Sequence, residues 1–203
     1  MAARRVVWTA GLAAVLIAWA TNVLPAASPD EVPGTERSAH LTAMKTRTAE
    51  PEALTAMTVS EILALPAFPR RYSRPQLAAM AELEARGVAV IGYVALVDPK
   101  LDGDYHVQLT EQAPGRCLTR TTPEQIITEL TPAFQARRPA YTLARLRALC
   151  GTAMQVRISG WLLYDSPHER SIGRGRGTLW EIHPITKIEV FKDGAWHDFD
   201  TLP

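Results

Sequence analysis

Val88-Ala89-Val90-Ile91-Gly92-Tyr93-Val94-Ala95-Leu96-Val97 is the stretch on which the fold turns. From Val88 the apolar pattern takes a period of two and stays greasy on both sides, as in a long buried strand. Gly92 in its middle points to a bend or bulge. Such a bend lets one strand serve both halves of a small barrel.

The segments downstream set the topology. Asp98 to Gly103 is rich in turn residues. Asp104 to Thr110 alternates, with Tyr105, Val107 and Leu109 on one face and Asp104, His106 and Gln108 on the other. Pro114 and Gly115 lead into a short third strand expected around Cys117 to Arg120. Thr122 then reads as a helix cap, with Pro123 at the first helical position and Glu124 in the first turn. Pro132 and Pro139 interrupt that helix. Leu143, Leu146 and Leu149 continue helical spacing until Gly151. Gln155 to Tyr164 is a fourth strand. Residues 165–177 form a glycine-bearing loop. Thr178 to Val190 is a fifth strand, broken at Pro184. Asp193-Gly194 is a hairpin turn, and Trp196 to Phe199 can pair back.

Three strands, a helix and two strands is the chain order of an OB-like barrel. The sequence therefore predicts a mainly β domain over residues 88–203, a small five-stranded OB-like barrel with a helix between strands 3 and 4. A generic α+β sheet built from the same elements is the competing arrangement.

Residues 58–87 form a helical lead-in of two short helices. Thr58-Val59-Ser60-Glu61 is a capping box, and Pro66 ends the helix it starts. Pro75 opens a second helix, which Gly87 stops. Residues 21–57 hold Pro25, Pro29, Pro33 and Pro51 among Thr, Ala, Ser and Glu without an apolar period, the pattern of a flexible linker. Arg4 and Arg5 precede an apolar run from Val6 to Ala20, so residues 1–20 read as a signal peptide. The rival is an uncleaved N-terminal anchor, since Val6 to Val23 is just long enough to span a bilayer. The expected location is exported, periplasmic or extracellular. Membrane contact is expected only through this N-terminal segment, if it stays uncut.

Composition excludes several classes. The chain has 203 residues, 47% of them apolar, enough to bury a core. Its formal charge is +1; loss of residues 1–20 removes Arg4 and Arg5 and leaves 20 basic against 21 acidic residues, net −1. Neither balance suits a nucleic-acid coat. Two cysteines cannot make a four-cysteine zinc site. In an oxidising compartment Cys117 and Cys150 are expected to pair, closing a loop worth about 3–4 kcal/mol in the chain-entropy model. Two buried free thiols are the alternative. No glycine-flanked serine elbow and no phosphate-cradling loop with a following lysine occurs.

Candidate chemistry lies in three constellations: Asp102, Asp104 and His106; Asp165 and His168; Glu181 and His183. Strand alternation puts Asp104 with His106, and Glu181 with His183, on common faces. Carboxylate-plus-imidazole pairs from separate strands can serve as an acid–base pair or as O/N metal ligands. They can equally satisfy one another as a structural network. No cofactor is expected beyond a possible divalent metal, with His106, His168, Glu181 and His183 as its candidate ligands. In the Arg170 to Gly177 loop, Arg174 and Arg176 alternate with glycines that let backbone approach an anion. Trp161, Trp180 and Tyr105 are candidate stacking platforms.

The strings Asp104-Tyr105-His106, Gly160-Trp161-Leu162-Leu163-Tyr164-Asp165-Ser166-Pro167-His168 and Thr178-Leu179-Trp180-Glu181-Ile182-His183-Pro184-Ile185 resemble a group of uncharacterised, often exported bacterial proteins over about residues 70–192. The resemblance implies that Asp104, His106, Asp165, His168, Trp180, Glu181 and His183 belong to one shared feature, and it implies no activity. Topology adds a weaker likeness to small periplasmic OB-fold proteins. The expected function is an exported OB-like binding or structural module. Its ligand would be a small anion, a glycan or an oligonucleotide, contacted by Asp104, His106, Asp165, His168, Arg174, Arg176, Trp180, Glu181 and His183. The competing class is a metal-dependent hydrolase, a phosphodiesterase or nuclease, using the same acids and imidazoles.

Overall fold

A computed structural model of the chain describes residues 30–202. The signal-peptide reading of residues 1–20 and the first part of the expected linker lie outside the described residues.

Five strands close the barrel. They are β2 (Gly87–Pro99), β3 (Tyr105–Thr110), β4 (Ile126–Leu130), β5 (Gln155–Tyr164) and β6 (Trp180–Lys192). Around the barrel they run β2-β3-β4-β6-β5 and return to β2. Every neighbouring pair is antiparallel except β4 with β6. This is the OB-like architecture expected from the chain order, and the helices α4 (Pro132–Arg137) and α5 (Leu143–Leu149) fill the connection between the third and fourth barrel strands. Among the described residues, two further strands lie outside the barrel. β1 (Thr55–Thr58) runs parallel to the first half of β2, and β7 (Ala195–Asp198) folds back on β6 through the Asp193-Gly194 turn.

The long strand serves both halves, as its length requires. Residues 87–93 of β2 pair with β5, and residues 93–99 pair with β3. The irregularity sits at Ala95 rather than at Gly92, because the register passes from Val94–Leu109 directly to Leu96–Gln108. The freed Ala95 carbonyl accepts the Leu118 N–H at 2.7 Å. Gly92 instead marks a close approach, where a Cβ would lie 2.9 Å from the Thr110 carbonyl oxygen.

The third strand is Ile126–Leu130, not Cys117–Arg120, and the helix expected from Thr122 is absent. Thr122 and Gln125 close a local turn: the Thr122 N–H donates to Gln125 Oε1, and the Gln125 N–H to the Thr122 carbonyl. The β-branched run Ile126-Ile127-Thr128 then favours a strand, and all five strand residues are buried. The helix starts instead at Pro132, which needs no N–H partner there. The displaced Cys117 segment is pinned to the end of α5 by the Cys117–Cys150 disulfide, with Cα atoms 5.0 Å apart. Gly151 follows in the left-handed region (φ 74°), where a Cβ would sit 2.2 Å from the Cys117 amide nitrogen. The disulfide and the glycine thus define one tight crossing.

Pro184 does not break β6. Gly160 pairs with Ile185 and Leu162 with Ile182, so His183 and Pro184 together oppose Trp161. This bulge absorbs a residue without an N–H, and it re-aims its neighbours. Gly160 makes room, since a Cβ there would meet the Pro184 carbonyl oxygen at 2.2 Å.

The two lead-in helices form as predicted: α2 (Val59–Leu63) carries the Thr58/Glu61 capping box, and α3 (Arg74–Glu84) has Pro75 in its first turn. The described part of the expected linker, residues 30–57, carries regular structure. Residues Gly34–Lys45 form helix α1, with Glu36 in the first turn and Lys45 in the last, charges that suit the helix dipole. No residue of α1 is buried, which is why no apolar period announces it. Polar side chains hold it and the chain that follows. His40 Nε2 lies 2.5 Å from Glu84 Oε2, and Arg47 donates to the carbonyls of Glu84 and Leu162, each at 2.7 Å.

Val107, Leu109, Ile126, Leu130, Ile158 and Ile182 lie within the buried core. By alternation, His106, Ile127, Glu129, Glu181 and His183 face outward from β3, β4 and β6. No described helix is long and apolar enough to cross a membrane.

Candidate functional site

Register brings the outward acids and imidazoles together. His106 opposes Glu129 across β3–β4. The parallel β4–β6 pair sets Ile127 against Glu181 and Thr128 against Ile182, so one step further Glu129 faces His183. His106 Nε2 lies 2.8 Å from Glu129 Oε1, and His183 Nε2 lies 3.3 Å from Glu129 Oε2. Asp104, at the end of the β2–β3 loop, brings Oδ2 to 3.8 Å from the same His183 nitrogen. His183 Nδ1 is buried without a hydrogen-bond partner.

A second group adjoins the first. Asp165, at the end of β5, contacts His168 Nδ1 through Oδ2, and that oxygen lies 3.2 Å from Arg176 Nη1. The same guanidinium nitrogen contacts Glu181 Oε1. Lys45, the last residue of α1, reaches Asp165 Oδ1 at 3.5 Å. Asp165, Glu181 and Arg176 are buried, and the His168 side chain is half exposed.

The charges are unequally shared. Burial alone would raise the Glu129 carboxyl, but the His106 contact and the charges of His106, His183 and Lys45 hold it down at about 2. Burial likewise opposes ionisation of Asp165, yet His168, Lys45 and Arg176 hold it well below the usual carboxylate range. Glu181 goes the other way. Burial, then the charges of Glu129 and Asp165, push its carboxyl well above the ordinary value, and Arg176 and Lys45 offset this only in part. Its Oε2 is buried without a hydrogen-bond partner, which makes the ionised form costly. Burial lowers the Lys45 ammonium, but the Asp165, Glu129 and Glu181 carboxylates more than reverse this. Asp165 and Glu129 are thus the ionised pair, with Lys45 and Arg176 as neighbouring cations.

A cleft of about 550 Å³ opens over these groups. It lies on the outer face of β3 and β4, through His106, Ile127 and Glu129. The β2–β3 loop flanks it with Lys100 and Asp102, and the β5–β6 loop with His168, Arg174 and Arg176. Lys45 and Arg120 complete its charged lining. The second and third barrel strands and these two loops are where OB barrels take oligonucleotides and oligosaccharides.

Seven of the predicted residues therefore fall in two adjoining groups, Asp104, His106 and His183 around Glu129, and Asp165 with His168, Arg176 and Glu181. Arg174 is exposed at the rim. Trp180 is a correction to the expected contact set. It is 1% exposed, packs against Tyr164 and Phe68, and donates Nε1–H to the Pro66 carbonyl at 2.8 Å. Strand alternation turns it opposite to Glu181, into the core. Trp161 is no stacking platform over the cleft either, since its Nε1–H donates to the Ala49 carbonyl and Arg47 covers its ring. Tyr105 packs against the core. The expected metal set also changes, because His168 and Glu181 are committed to Asp165 and Arg176. Asp104, Glu129 and His183 are the described residues whose ligand atoms lie within 4.8 Å of one another.

Glu129, Lys45, Lys100 and Arg120 escaped the sequence reading. Glu129 was hidden by the helix expected from Thr122, and the signal that exposes it is the β-branched run before it. Lys45 lay in the expected linker, where no local pattern marks it.

No protein-family model and no curated protein sequence matches the chain. Among solved structures, a "putative aspartyl-tRNA synthetase" from Leishmania major Friedlin overlaps 74% of this chain at 13% identity and a TM-score of 0.38. The chain spans 23% of the length of that protein.

Proposed function

We propose that the chain is an exported OB-like binding module whose cleft takes a small oxyanion-bearing ligand. One observation carries this reading: Lys45, Lys100, Arg120, Arg174 and Arg176 converge on a cleft over the β3–β4 face, between the two loops that serve OB barrels as ligand loops. Its volume of about 550 Å³ falls within the small-molecule range. Arg176 is held by Asp165 and Glu181, and Lys45 by Asp165, so both are pre-positioned. Arg120 and Arg174 are exposed and free to fold onto an anion.

Among the described residues, no Trp, Tyr or Phe lines the cleft. Sequence-tolerant binding of single-stranded nucleic acid combines a cationic groove with aromatic side chains on which the bases stack. The ligand class is therefore a phosphate, a sulfate or a carboxylate carried on a small molecule or glycan, rather than an oligonucleotide. The Cys117–Cys150 disulfide is compatible with an oxidising, exported location, and the apolar run after Arg4 and Arg5 supports export.

Titration calorimetry with inorganic phosphate, sulfate and a sulfated oligosaccharide tests the reading. At least one is expected to bind, at least tenfold more weakly after Arg174→Ala together with Arg120→Ala. Binding that ignores both changes, or no binding to any of the three, overturns it.

The second reading is a metal-dependent hydrolase acting on such an anion. It is supported by Asp104, Glu129 and His183, whose carboxylates and imidazole converge beside the cationic cleft.

A further inference from the structure

We infer that Asp104, Glu129 and His183 form a binding site for one divalent transition ion of the zinc type. The site stands whether or not the cleft takes an anion, and whether or not any substrate is hydrolysed.

The convergence itself is the first reason. His183, 2% exposed, presents Nε2 to two carboxylate oxygens at once, Glu129 Oε2 at 3.3 Å and Asp104 Oδ2 at 3.8 Å. A single N–H can serve one of them. A cation among the three satisfies all of them together. Tetrahedral ligands about 2.05 Å from zinc stand about 3.3 Å apart. The Glu129–His183 separation already has this value. The Asp104 contact is longer, and Asp104 has room to close because it ends a loop and is partly exposed.

The second reason is the backbone. Glu129 and His183 each follow the last paired residues of the parallel β4–β6 ladder, Thr128 and Ile182, which sets their side chains next to one another. His183 also lies in the β6 bulge opposite Trp161. Bulges re-aim side chains and recur beside functional sites.

The third reason is the chemistry of the ligands. The second oxygen of Glu129 is engaged by His106 at 2.8 Å. An imidazole on the free oxygen of a ligating carboxylate orients it for the metal. One imidazole and two carboxylates suit zinc or manganese better than copper(I), which prefers sulfur, or calcium, which takes six or more oxygens. Three protein ligands leave a fourth position open, as in catalytic rather than structural zinc sites. Glu129 lines the cleft as well, so the ion would stand beside the ligand's anionic group. Lys45 is the competing counter-charge, since its ammonium also acts on Glu129.

The test uses the untagged, disulfide-bonded chain, stripped with a chelator and titrated with Zn²⁺, Mn²⁺ or Ca²⁺ alone. One equivalent of Zn²⁺ is expected to bind and to raise the melting temperature, and Co²⁺ is expected to give visible absorption typical of a four-coordinate site. Asp104→Asn, at a partly exposed loop position, should weaken Zn²⁺ binding at least tenfold without unfolding the chain. Glu129→Gln should do the same, and His106→Gln should weaken it about tenfold. His168→Ala, in the adjoining group, should leave it unchanged. No Zn²⁺ binding by the wild-type chain overturns the site. So does binding that survives Asp104→Asn and Glu129→Gln, or binding lost through His168→Ala. Melting curves of each variant without metal separate lost affinity from lost folding.

Discussion

Glu129 Oε2 and His183 Nε2 lie 3.3 Å apart on neighbouring parallel strands, although β4 and β6 are joined by two helices, β5 and the arginine loop. The closed barrel creates this contact. Around it, acids whose carboxyls are shifted in opposite directions stand side by side, and several of the consequences are measurable.

Glu129 sets an acid limit on stability. Its carboxyl is held at about 2 in the fold against an ordinary value of 4.5. The unfolded chain therefore binds the extra proton between these values, and stability rises with pH there. The stabilisation is complete above about pH 4.5 and is lost as pH falls through about 2. Asp165 acts in the same direction. Urea unfolding across pH 2–6 should show this slope, and Glu129→Gln should flatten it.

Glu181 should act in the opposite sense. Its carboxyl is raised in the fold, so the native state holds the proton longer than the unfolded chain does. Its favourable contribution is present below pH 4.5 and declines as pH rises through the raised value. Relative to the wild type, Glu181→Gln should gain stability as pH increases from 4.5 to 8. A constant difference between the two proteins would show that Arg176 keeps Glu181 ionised throughout.

Trp180→Ala should cost about 3–5 kcal/mol, the range for emptying a large buried aromatic site. The loss comes from the cluster with Tyr164 and Phe68 and from the bond to the Pro66 carbonyl. Equilibrium unfolding measures it. Loss of anion binding without loss of stability would restore Trp180 to the contact surface.

Reduction of the Cys117–Cys150 bond, or the double replacement Cys117→Ser with Cys150→Ser, should lower stability by about 3–4 kcal/mol. Urea midpoints with and without reductant report it. The disulfide braces the Cys117 segment, which leads to Arg120 at the cleft rim, so anion affinity should fall as well.

Arg47→Ala should loosen α1. Two guanidinium bonds to the Glu84 and Leu162 carbonyls would be lost, and charged hydrogen bonds contribute about 1.5–3 kcal/mol each at most. Limited proteolysis should then cut between residues 34 and 50 earlier than in the wild type. An unchanged cleavage pattern would mean that the His40–Glu84 and Lys45–Asp165 contacts hold the helix without it.

Local pattern determined the barrel. Period-two strands at 88–97, 104–110 and 155–164, the Thr58 capping box and the Asp193-Gly194 turn are written in neighbouring residues, because backbone conformation responds to neighbours. The third strand is displaced where two local signals compete: Thr122-Pro123 suggests a helix, and Ile126-Ile127-Thr128 prevails because barrel closure buries the inward face of that segment while flanking loops cover the outward one. Helix α1 was invisible for the converse reason, since polar contacts with distant residues hold it. Alternation likewise put His106 and Asp104 on one face and Glu181 and His183 on another. The parallel register of β4 and β6 decided that Glu129 stands between His106 and His183. Only closure of the chain on itself set Lys45, Arg120 and Arg174 around one cleft, because the positions of charges from distant segments follow from tertiary packing and leave no mark in local sequence.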